Sequence, residues 1–198
     1  MRMNKSLSRL AAGCLFGIVL LIVSQGCGPA PQRIVKVYDG DTVRLADGTK
    51  VRLIGIDCPE MRDNDKLRAD ARRSGQALKT IMARGQRAYA FVRDLALGAV
   101  VRIEYDRERL DKYGRTLAYI WIKVEPGSRL ERNGIPDDFV VEQRVDDQGQ
   151  AVDYIFLNAT ILKAGFARPM SIPPNTRFAD PFRSFYQDAR QHKRGLWG

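Results

Sequence analysis

The strongest constraint on the fold is a set of three short, closely spaced segments rich in β-branched residues, at positions 34–38, 42–45 and 51–56. Such segments predict β-strands. The pair Asp47-Gly48 lies between the second and third segments and is typical of a tight hairpin turn. The folded part of the chain is therefore expected to begin, at Arg33 or Ile34, with three consecutive strands.

Helical spacing appears next, over residues 86–97, where Ala88, Phe91, Val92 and Leu95 recur at intervals of three and four before Gly98. Residues 100–105 and 116–124 then read as two further strands. Residues 157–164 predict a helix that stops at Gly165, and Asp180-Pro181 predicts the start of another that closes at Gly195. The pattern indicates an α+β fold with five strands and a helix between the third and fourth.

Metal ligands of the nitrogen and sulfur type are scarce in this sequence. The 198 residues, enough for one domain, contain a single histidine, His192, and three cysteines, Cys14, Cys27 and Cys58. These numbers exclude a histidine cluster and a four-cysteine zinc site, so a metal would need oxygen ligands. His192 lies near the C-terminus of the last predicted helix and is interpreted as a solvated residue that complements the helix dipole.

The N-terminus has the pattern of an export signal. Arg2, Lys5 and Arg9 precede an apolar run over residues 11–23, which is shorter than the ~20 residues that span a bilayer. The run ends in Ser24-Gln25-Gly26-Cys27, similar to the lipobox of bacterial lipoproteins. We expect a signal peptide over residues 1–27, lipid on Cys27, a tether over 28–33 and a domain over 34–198, with the chain membrane-anchored in the cell envelope. Ordinary signal cleavage and free secretion is the alternative.

Two charged segments, residues 61–84 and 124–152, interrupt the predicted frame. The first is expected to be partly helical. The second carries seven acidic residues against three arginines, whereas the whole chain has 33 basic and 23 acidic residues. A polyanion site is therefore expected away from residues 124–152.

The residues that could carry chemistry stand in four short motifs: Asp39-Gly40-Asp41, Arg52, Asp57-Cys58-Pro59-Glu60 and Asp111-Lys112-Tyr113-Gly114-Arg115. Singly, each has a plainer interpretation as a turn, a surface ion pair or a hairpin loop. Together they supply carboxylates for a hard cation, a carboxylate to activate water, and guanidinium groups for a phosphate. This combination suits metal-assisted hydrolysis of a phosphodiester.

The order of these motifs resembles the staphylococcal nuclease family over residues 33–197, with 61–84 and 124–152 as longer insertions and with the final Gly195-Leu196-Trp197. The resemblance implies a five-stranded OB-type β-barrel with about three helices. It also implies calcium-dependent cleavage of DNA and RNA that leaves 3′-phosphates. The protein is expected to act as a monomer.

The same resemblance assigns roles motif by motif. Asp41 and Asp57 correspond to the calcium carboxylates, and the main-chain carbonyl of Cys58 to a further ligand. Glu60 corresponds to the general base. Arg52 and Arg115 correspond to the groups that bind the phosphate.

Three further assignments concern the surroundings of this site. Asp39 corresponds to an acid that supports the metal ligands without touching the metal. Tyr113 corresponds to a residue near the bound nucleotide, and an aromatic residue at the barrel edge is the equal alternative. The family's second nucleotide-stacking tyrosine has no clear match within residues 170–178.

Strand alternation raises a difficulty for this assignment. In a regular strand Arg52 and Asp57 point to opposite faces, although both should meet one phosphate. Gly55 is the predicted position of a bulge or sharp bend that restores a common face. Alternatively, the strand ends at Ile56 and the loop turns Asp57 inward.

Two functions remain open at this point. One is an exported nuclease; the other is a non-catalytic OB-fold module that binds single-stranded nucleic acid or a protein partner. The carboxylates favour the enzyme, because acids on a polyanion-binding surface would repel phosphate unless they served chemistry. Cys58 precedes a proline in an acidic loop without a nearby histidine, and it is interpreted as an inert packed thiol.

Overall fold

A computed structural model describes residues 32–146 and 148–198. The expected signal peptide, the lipidation position Cys27 and the first tether residues lie outside the described residues. Within the described part, no helix combines the length and the apolar character needed to cross a membrane.

Short strands alternate with helices along the chain. The strands are β1 (Gln32–Val37), β2 (Thr42–Leu45), β3 (Lys50–Leu53), β4 (Gly55–Asp57), β5 (Val100–Glu104), β6 (Thr116–Lys123), β7 (Val141–Val145), β8 (Ala151–Phe156) and β9 (Arg168–Met170). The helices are α1 (Asp65–Ser74), α2 (Leu78–Ala96), α3 (Arg129–Asn133), α4 (Leu157–Lys163) and α5 (Ala179–Gln191), followed by a 3₁₀ turn over Gly195–Trp197.

Five of these strands close into a barrel. Neighbouring strands pair in the order β3-β2-β1-β5-β6, and a parallel pairing of β6 with β3 completes the ring. The turn between β2 and β3 contains Gly48 with φ +91°, as the Asp-Gly pair predicts. The five-stranded OB-type barrel of an α+β fold is thus confirmed.

The insertions hold more regular structure than the sequence indicated. The helix expected from residue 86 begins at Leu78, so part of the first insertion belongs to α2, and α1 precedes it. The second insertion forms α3 and contributes to the hairpin of β7 and β8, which pairs with the last part of β6. The expected count of about three helices fits α2, α4 and α5 alone.

Three boundaries differ from the predicted ones. Strand β1 starts at Gln32, so the last two residues of the expected tether are part of the barrel. Helix α5 starts at Ala179 and is capped by Phe178, which places Asp180 in the first turn instead of at the cap. The helix ends at Gln191, and Lys193 (φ 52°) is the first left-handed residue after it; the predicted Gly195 is left-handed as well (φ 55°).

An aromatic cluster joins the barrel to α5. Phe156 stacks on Trp121 at a ring-centre distance of 4.1 Å and meets Phe178 at 4.9 Å. Phe182 of α5 is fully buried against the same cluster and contacts the backbone at Gly55. Helix α5 therefore packs directly behind β4, the strand that leads into the acidic motif.

Candidate active site

Asp41 is buried in the turn between β1 and β2, where every side-chain oxygen has a donor. Its Oδ1 accepts the Thr42 hydroxyl at 3.1 Å and lies 2.8 Å from Nη1 of Arg52. Its Oδ2 accepts the main-chain N–H of Cys58 at 2.9 Å. Asp39 accepts the N–H of Asp41 at 3.0 Å and so supports the turn, in agreement with its expected accessory position.

Arg52 joins the two acidic motifs. The second nitrogen of its guanidinium, Nη2, lies 3.3 Å from Oδ1 of Asp57, while Nη1 pairs with Asp41. The side chain is buried, although it projects from β3, whose neighbours Val51 and Leu53 fill the core. The structure thus brings Asp41, Arg52 and Asp57 together as the sequence predicted.

The geometric reason is a break in the strand at Gly55. Strand β3 ends at Leu53, and Gly55 has φ +81°, a left-handed conformation that glycine adopts readily. A Cβ at this position would lie 2.4 Å from the ring of Phe182. The predicted bend at Gly55 is confirmed, and it brings Asp57 toward the Arg52 guanidinium.

Burial and charge oppose each other in this cluster. Burial raises the pKa of Asp41 to about 6, although the positive charge of Arg52 acts to lower it. Burial would lower the pKa of Arg52, but the Asp41 and Asp57 carboxylates outweigh it and the pKa is raised. Arg52 therefore remains a cation, whereas the raised pKa of Asp41 lets it gain a proton at mildly acidic pH.

Glu60 has both carboxylate oxygens engaged. Oε1 lies 2.8 Å from the Lys66 ammonium, and Oε2 accepts a hydrogen bond from the Asn64 amide at 2.9 Å. Partial burial would raise the pKa of Glu60, but these bonds outweigh it and the pKa is lowered. Glu60 is consequently ionised at neutral pH, as a proton acceptor must be.

Helix α1 places these two partners. Asn64 caps its N-terminus by accepting the N–H of Leu67 at 2.8 Å, and Leu67 is fully buried. On the other side, Gly85 of α2 packs against the Glu60 backbone, since a Cβ there would lie 2.5 Å from the Glu60 carbonyl. The Glu60 segment is thus held between the first turn of α1 and the middle of α2.

Cys58 is a buried thiol, 3% exposed. Burial and the nearby Asp41 charge raise its pKa well above the ordinary value, which keeps it protonated and unreactive. The main chain of Cys58, unlike its thiol, contacts residues of the cluster. Its N–H donates to Asp41, and its carbonyl lies 3.3 Å from the Lys66 ammonium. The interpretation of Cys58 as an inert thiol agrees with this environment.

Arg115 and Tyr113 lie on the loop between β5 and β6, apart from the Arg52 cluster. Nε of Arg115 pairs with Asp111 at 2.7 Å, and Tyr113 is 72% exposed. Arg52 pairs with Leu117 on β6, two residues after Arg115 along the chain. The Arg115 guanidinium itself is held by another acid, Asp111.

His192 caps the C-terminus of α5 and its side chain is exposed. Its Nδ1 lies 3.0 Å from the Asp188 carboxylate, one helical turn earlier. The expected position beside a helix C-terminus is confirmed.

The oxygen atoms of this site suit a hard cation. Among the described residues, no group of three or more histidine, cysteine, aspartate or glutamate side chains is arranged so that it could hold a metal ion. The Lys66 ammonium nevertheless lies 3.2 Å from Asp57, 2.8 Å from Glu60 and 3.3 Å from the Cys58 carbonyl. These oxygens already surround one cation, and carboxylate and carbonyl oxygens are the ligand types that calcium prefers.

A cavity of about 380 Å³ opens beside Asp57, between the two helices α1 and α2 and strand β9. Arg84 and Arg168 line it, together with Met170 and Trp197. Neither arginine forms an ion pair with a carboxylate within the described part of the chain, although Arg84 binds the Gln76 side chain. The cavity thus offers two guanidinium groups for an anionic ligand next to the acidic cluster.

Sequence reasoning missed Lys66, Asn64 and the two cavity arginines. The pattern at Asn64, a capping residue just before a charged amphipathic run, was available as a helix-start signal. Nothing in the sequence indicated that Lys66 would reach back to Glu60, because that contact depends on the path of the intervening loop.

Comparisons with known proteins agree with this geometry. The sequence profile of the family described as "Staphylococcal nuclease homologue" matches residues 50–198. The chain is 28% identical to a thermonuclease of Staphylococcus intermedius and 25% identical to one of Staphylococcus hyicus, each over 83% of this chain and 74% of the relative. It is 26% identical to the endonuclease YncB of Bacillus subtilis, over 82% of this chain and 59% of the relative. The chain therefore belongs to the staphylococcal nuclease family.

Proposed function

We propose that this protein is a calcium-dependent nuclease that hydrolyses DNA and RNA with little preference for the sugar and leaves 3′-phosphates. Relatives named thermonuclease and endonuclease support a nuclease function. The observation that carries the proposal is the position of Arg52, whose guanidinium joins Asp41 to Asp57 beside the ionised Glu60. One cluster thus combines a phosphate-binding group, oxygen ligands for a cation and a proton acceptor.

Calcium would be held by Asp41, Asp57 and the Cys58 carbonyl, and when bound it would withdraw charge from the scissile phosphate. Glu60 accepts a proton from the attacking water as the water oxygen bonds to phosphorus. The bond to the 5′-oxygen breaks, and that oxygen takes up a proton from solvent. Arg52 donates to the phosphate oxygens, whose negative charge grows in the transition state. Arg115 supplies a second guanidinium from the loop before β6 once substrate replaces Asp111 as its partner.

The cavity beside Asp57 is proposed to take the part of the nucleic acid that continues past the scissile phosphate. Arg84 and Arg168 are available there for backbone phosphates, which dominate the affinity of proteins for nucleic acid. The exposed Tyr113, on the loop before β6, offers a ring on which a base could stack.

The location follows from the N-terminal pattern alone. We propose that the protein is exported and held at the cell envelope by lipid on Cys27, with release by ordinary signal cleavage as the alternative. Mass spectrometry of the natively expressed protein tests this. An unmodified N-terminus at Gly28 or later means a secreted enzyme.

One observation favours the alternative of a non-catalytic binding module. Both oxygens of Glu60 are occupied by Lys66 and Asn64, and Arg115 is paired with Asp111, so several catalytic groups must exchange partners before reaction. A module that only binds nucleic acid would need no such exchange.

A cleavage assay separates the two functions. Purified protein is incubated with single-stranded DNA and with RNA, in calcium and in excess chelator, and the ends of the products are analysed. Cleavage that requires calcium and leaves 3′-phosphates is expected for the wild type, with Glu60→Gln as a folded, inactive control. Binding without cleavage in any divalent metal would support the module instead, and cleavage unchanged in chelator would contradict the metal assignment.

A further inference from the structure

Lys66 lies on a surface helix, but its ammonium points into the acidic loop instead of into solvent. Its ammonium is surrounded by three oxygens within hydrogen-bonding distance: Asp57 Oδ1 at 3.2 Å, Glu60 Oε1 at 2.8 Å and the Cys58 carbonyl at 3.3 Å. A fourth oxygen, Oδ2 of Asp70, lies at 3.9 Å. The ammonium therefore lies where oxygens from the acidic loop converge.

The same oxygens belong to the proposed calcium site and to the proposed base. Asp57 and the Cys58 carbonyl are two of the assigned ligands, and Glu60 is the assigned proton acceptor. Calcium binds oxygen at 2.3–2.6 Å and carries two charges, so it and an ammonium cannot share this carboxylate and this carbonyl without strong repulsion.

We propose that Lys66 is a built-in competitor of the divalent cation: its ammonium must leave Asp57 and the Cys58 carbonyl before calcium binds, and its departure also frees Glu60. This inference rests on the proposed function. It assigns a role to the first insertion, because Lys66 lies in the first turn of α1.

The geometry allows this exchange without unfolding. The Lys66 side chain is 41% exposed, so its flexible stem can swing the ammonium into solvent. Helix α1 keeps its position meanwhile, because Asn64 caps it and Leu67 anchors it in the core. These two contacts already hold α1 in place, so the helix does not need Lys66 for that purpose.

The test compares calcium affinity between wild type and Lys66→Met by isothermal titration calorimetry on the purified full chain. The uncharged, similarly long side chain is expected to lower the calcium dissociation constant on the order of tenfold, because both the competing and the repelling charge are gone. Lys79→Met is the matched control, since Lys79 is an exposed lysine at the start of α2, and its affinity is expected to equal that of the wild type.

Cleavage rates add a second measurement. At calcium concentrations below saturation Lys66→Met is expected to cut faster than wild type, and the advantage should shrink as calcium saturates both. Lys66→Gln repeats the measurement with a polar side chain, and thermal unfolding without calcium checks that each variant is folded.

The outcomes separate the two claims. If wild type binds calcium and cuts, but both Lys66 variants bind calcium no more tightly, the competition is overturned and the nuclease stands. If Lys79→Met raises calcium affinity as much as Lys66→Met does, the competition is overturned too, because loss of any positive charge would then explain the effect. If neither wild type nor the Lys66 variants bind calcium, the proposed calcium site itself fails and the inference fails with it.

Discussion

The Arg52 guanidinium lies 3.3 Å from the Asp57 carboxylate, although regular alternation along one strand would place these residues on opposite faces. The exchange of faces takes place at Gly55, where φ is +81° and the backbone touches the ring of Phe182. The active-site geometry therefore depends on one glycine and on the packing of α5 behind it.

Replacement of Gly55 by alanine tests this dependence. We expect a loss of about 2–4 kcal/mol in the free energy of unfolding, since the new Cβ meets both an unfavourable φ and the Phe182 ring. Cleavage should fall as well, because Asp57 shifts relative to Arg52. Chemical denaturation measures the stability. Gly114→Ala is the matched control, because Gly114 has φ +73° and an added Cβ would meet nothing within 4 Å. This variant should lose only the part of the unfolding free energy that comes from the unfavourable φ.

The first strands and the Asp-Gly turn were predictable because they depend on local signals. The closed barrel and the grouping of Asp41, Arg52 and Asp57 were expected from the resemblance to the nuclease family, which the order of acids and arginines carried. Contacts that depend on the path of the chain were not predictable, such as the reach of Lys66 to Glu60 or the pairing of Arg115 with Asp111. The hairpin of β7 and β8 was hidden because its exposed strand, β7, has little apolar alternation.

The two phosphate-binding arginines should not tolerate lysine. Arg52→Lys and Arg115→Lys are each expected to lower kcat on the order of 10²-fold, because lysine keeps the charge but loses the planar pair of donors. Arg52→Lys should also weaken the link between Asp41 and Asp57. Steady-state cleavage of single-stranded DNA measures the effect. Near wild-type rates in both variants would mean that the phosphate is bound elsewhere.

Calcium binding should release a proton at mildly acidic pH. Burial raises the pKa of Asp41 to about 6, so below this pH calcium must displace a proton from it and the affinity should fall about tenfold per pH unit. Titration calorimetry in buffers of different ionisation enthalpy counts the protons. About one is expected near pH 5 and none near pH 8, and an affinity independent of pH in this range would contradict the assignment of Asp41 as a ligand.

The raised pKa of Asp41 also affects the stability of the calcium-free protein. Its contribution to that stability falls as pH rises, whereas calcium affinity rises with pH. A carboxyl group whose pKa is raised in the folded state stabilises that state below its unfolded pKa, near 3.8, and loses this contribution as pH rises through about 6. Asp41→Asn removes the titration. Its free energy of unfolding, measured by urea denaturation, should vary less between pH 4 and pH 7 than that of the wild type.

The thiol of Cys58 should be dispensable for chemistry. Cys58→Ser keeps the main-chain N–H that binds Asp41 and the carbonyl that faces Lys66, so kcat should stay within about threefold of wild type, in contrast to loss of a catalytic group. Stability should fall by about 1–3 kcal/mol, since a hydroxyl replaces a buried thiol. Loss of all activity in a folded variant would indicate a chemical role for the sulfur.

The cavity beside Asp57 should matter for long substrates and not for short ones. Arg84→Gln and Arg168→Gln each remove one guanidinium from the proposed path of the strand, so the KM for an oligonucleotide of about 20 residues should rise, and the slope of log affinity against log salt should fall by about one. The kcat for a dinucleotide should not change, because that substrate spans only the Arg52 cluster. Arg93→Gln, which removes an exposed arginine from the far end of α2, is the control for net charge. If Arg84→Gln and Arg168→Gln affect long and short substrates equally, or if Arg93→Gln has the same effect as they do, the nucleic-acid strand does not run through this cavity.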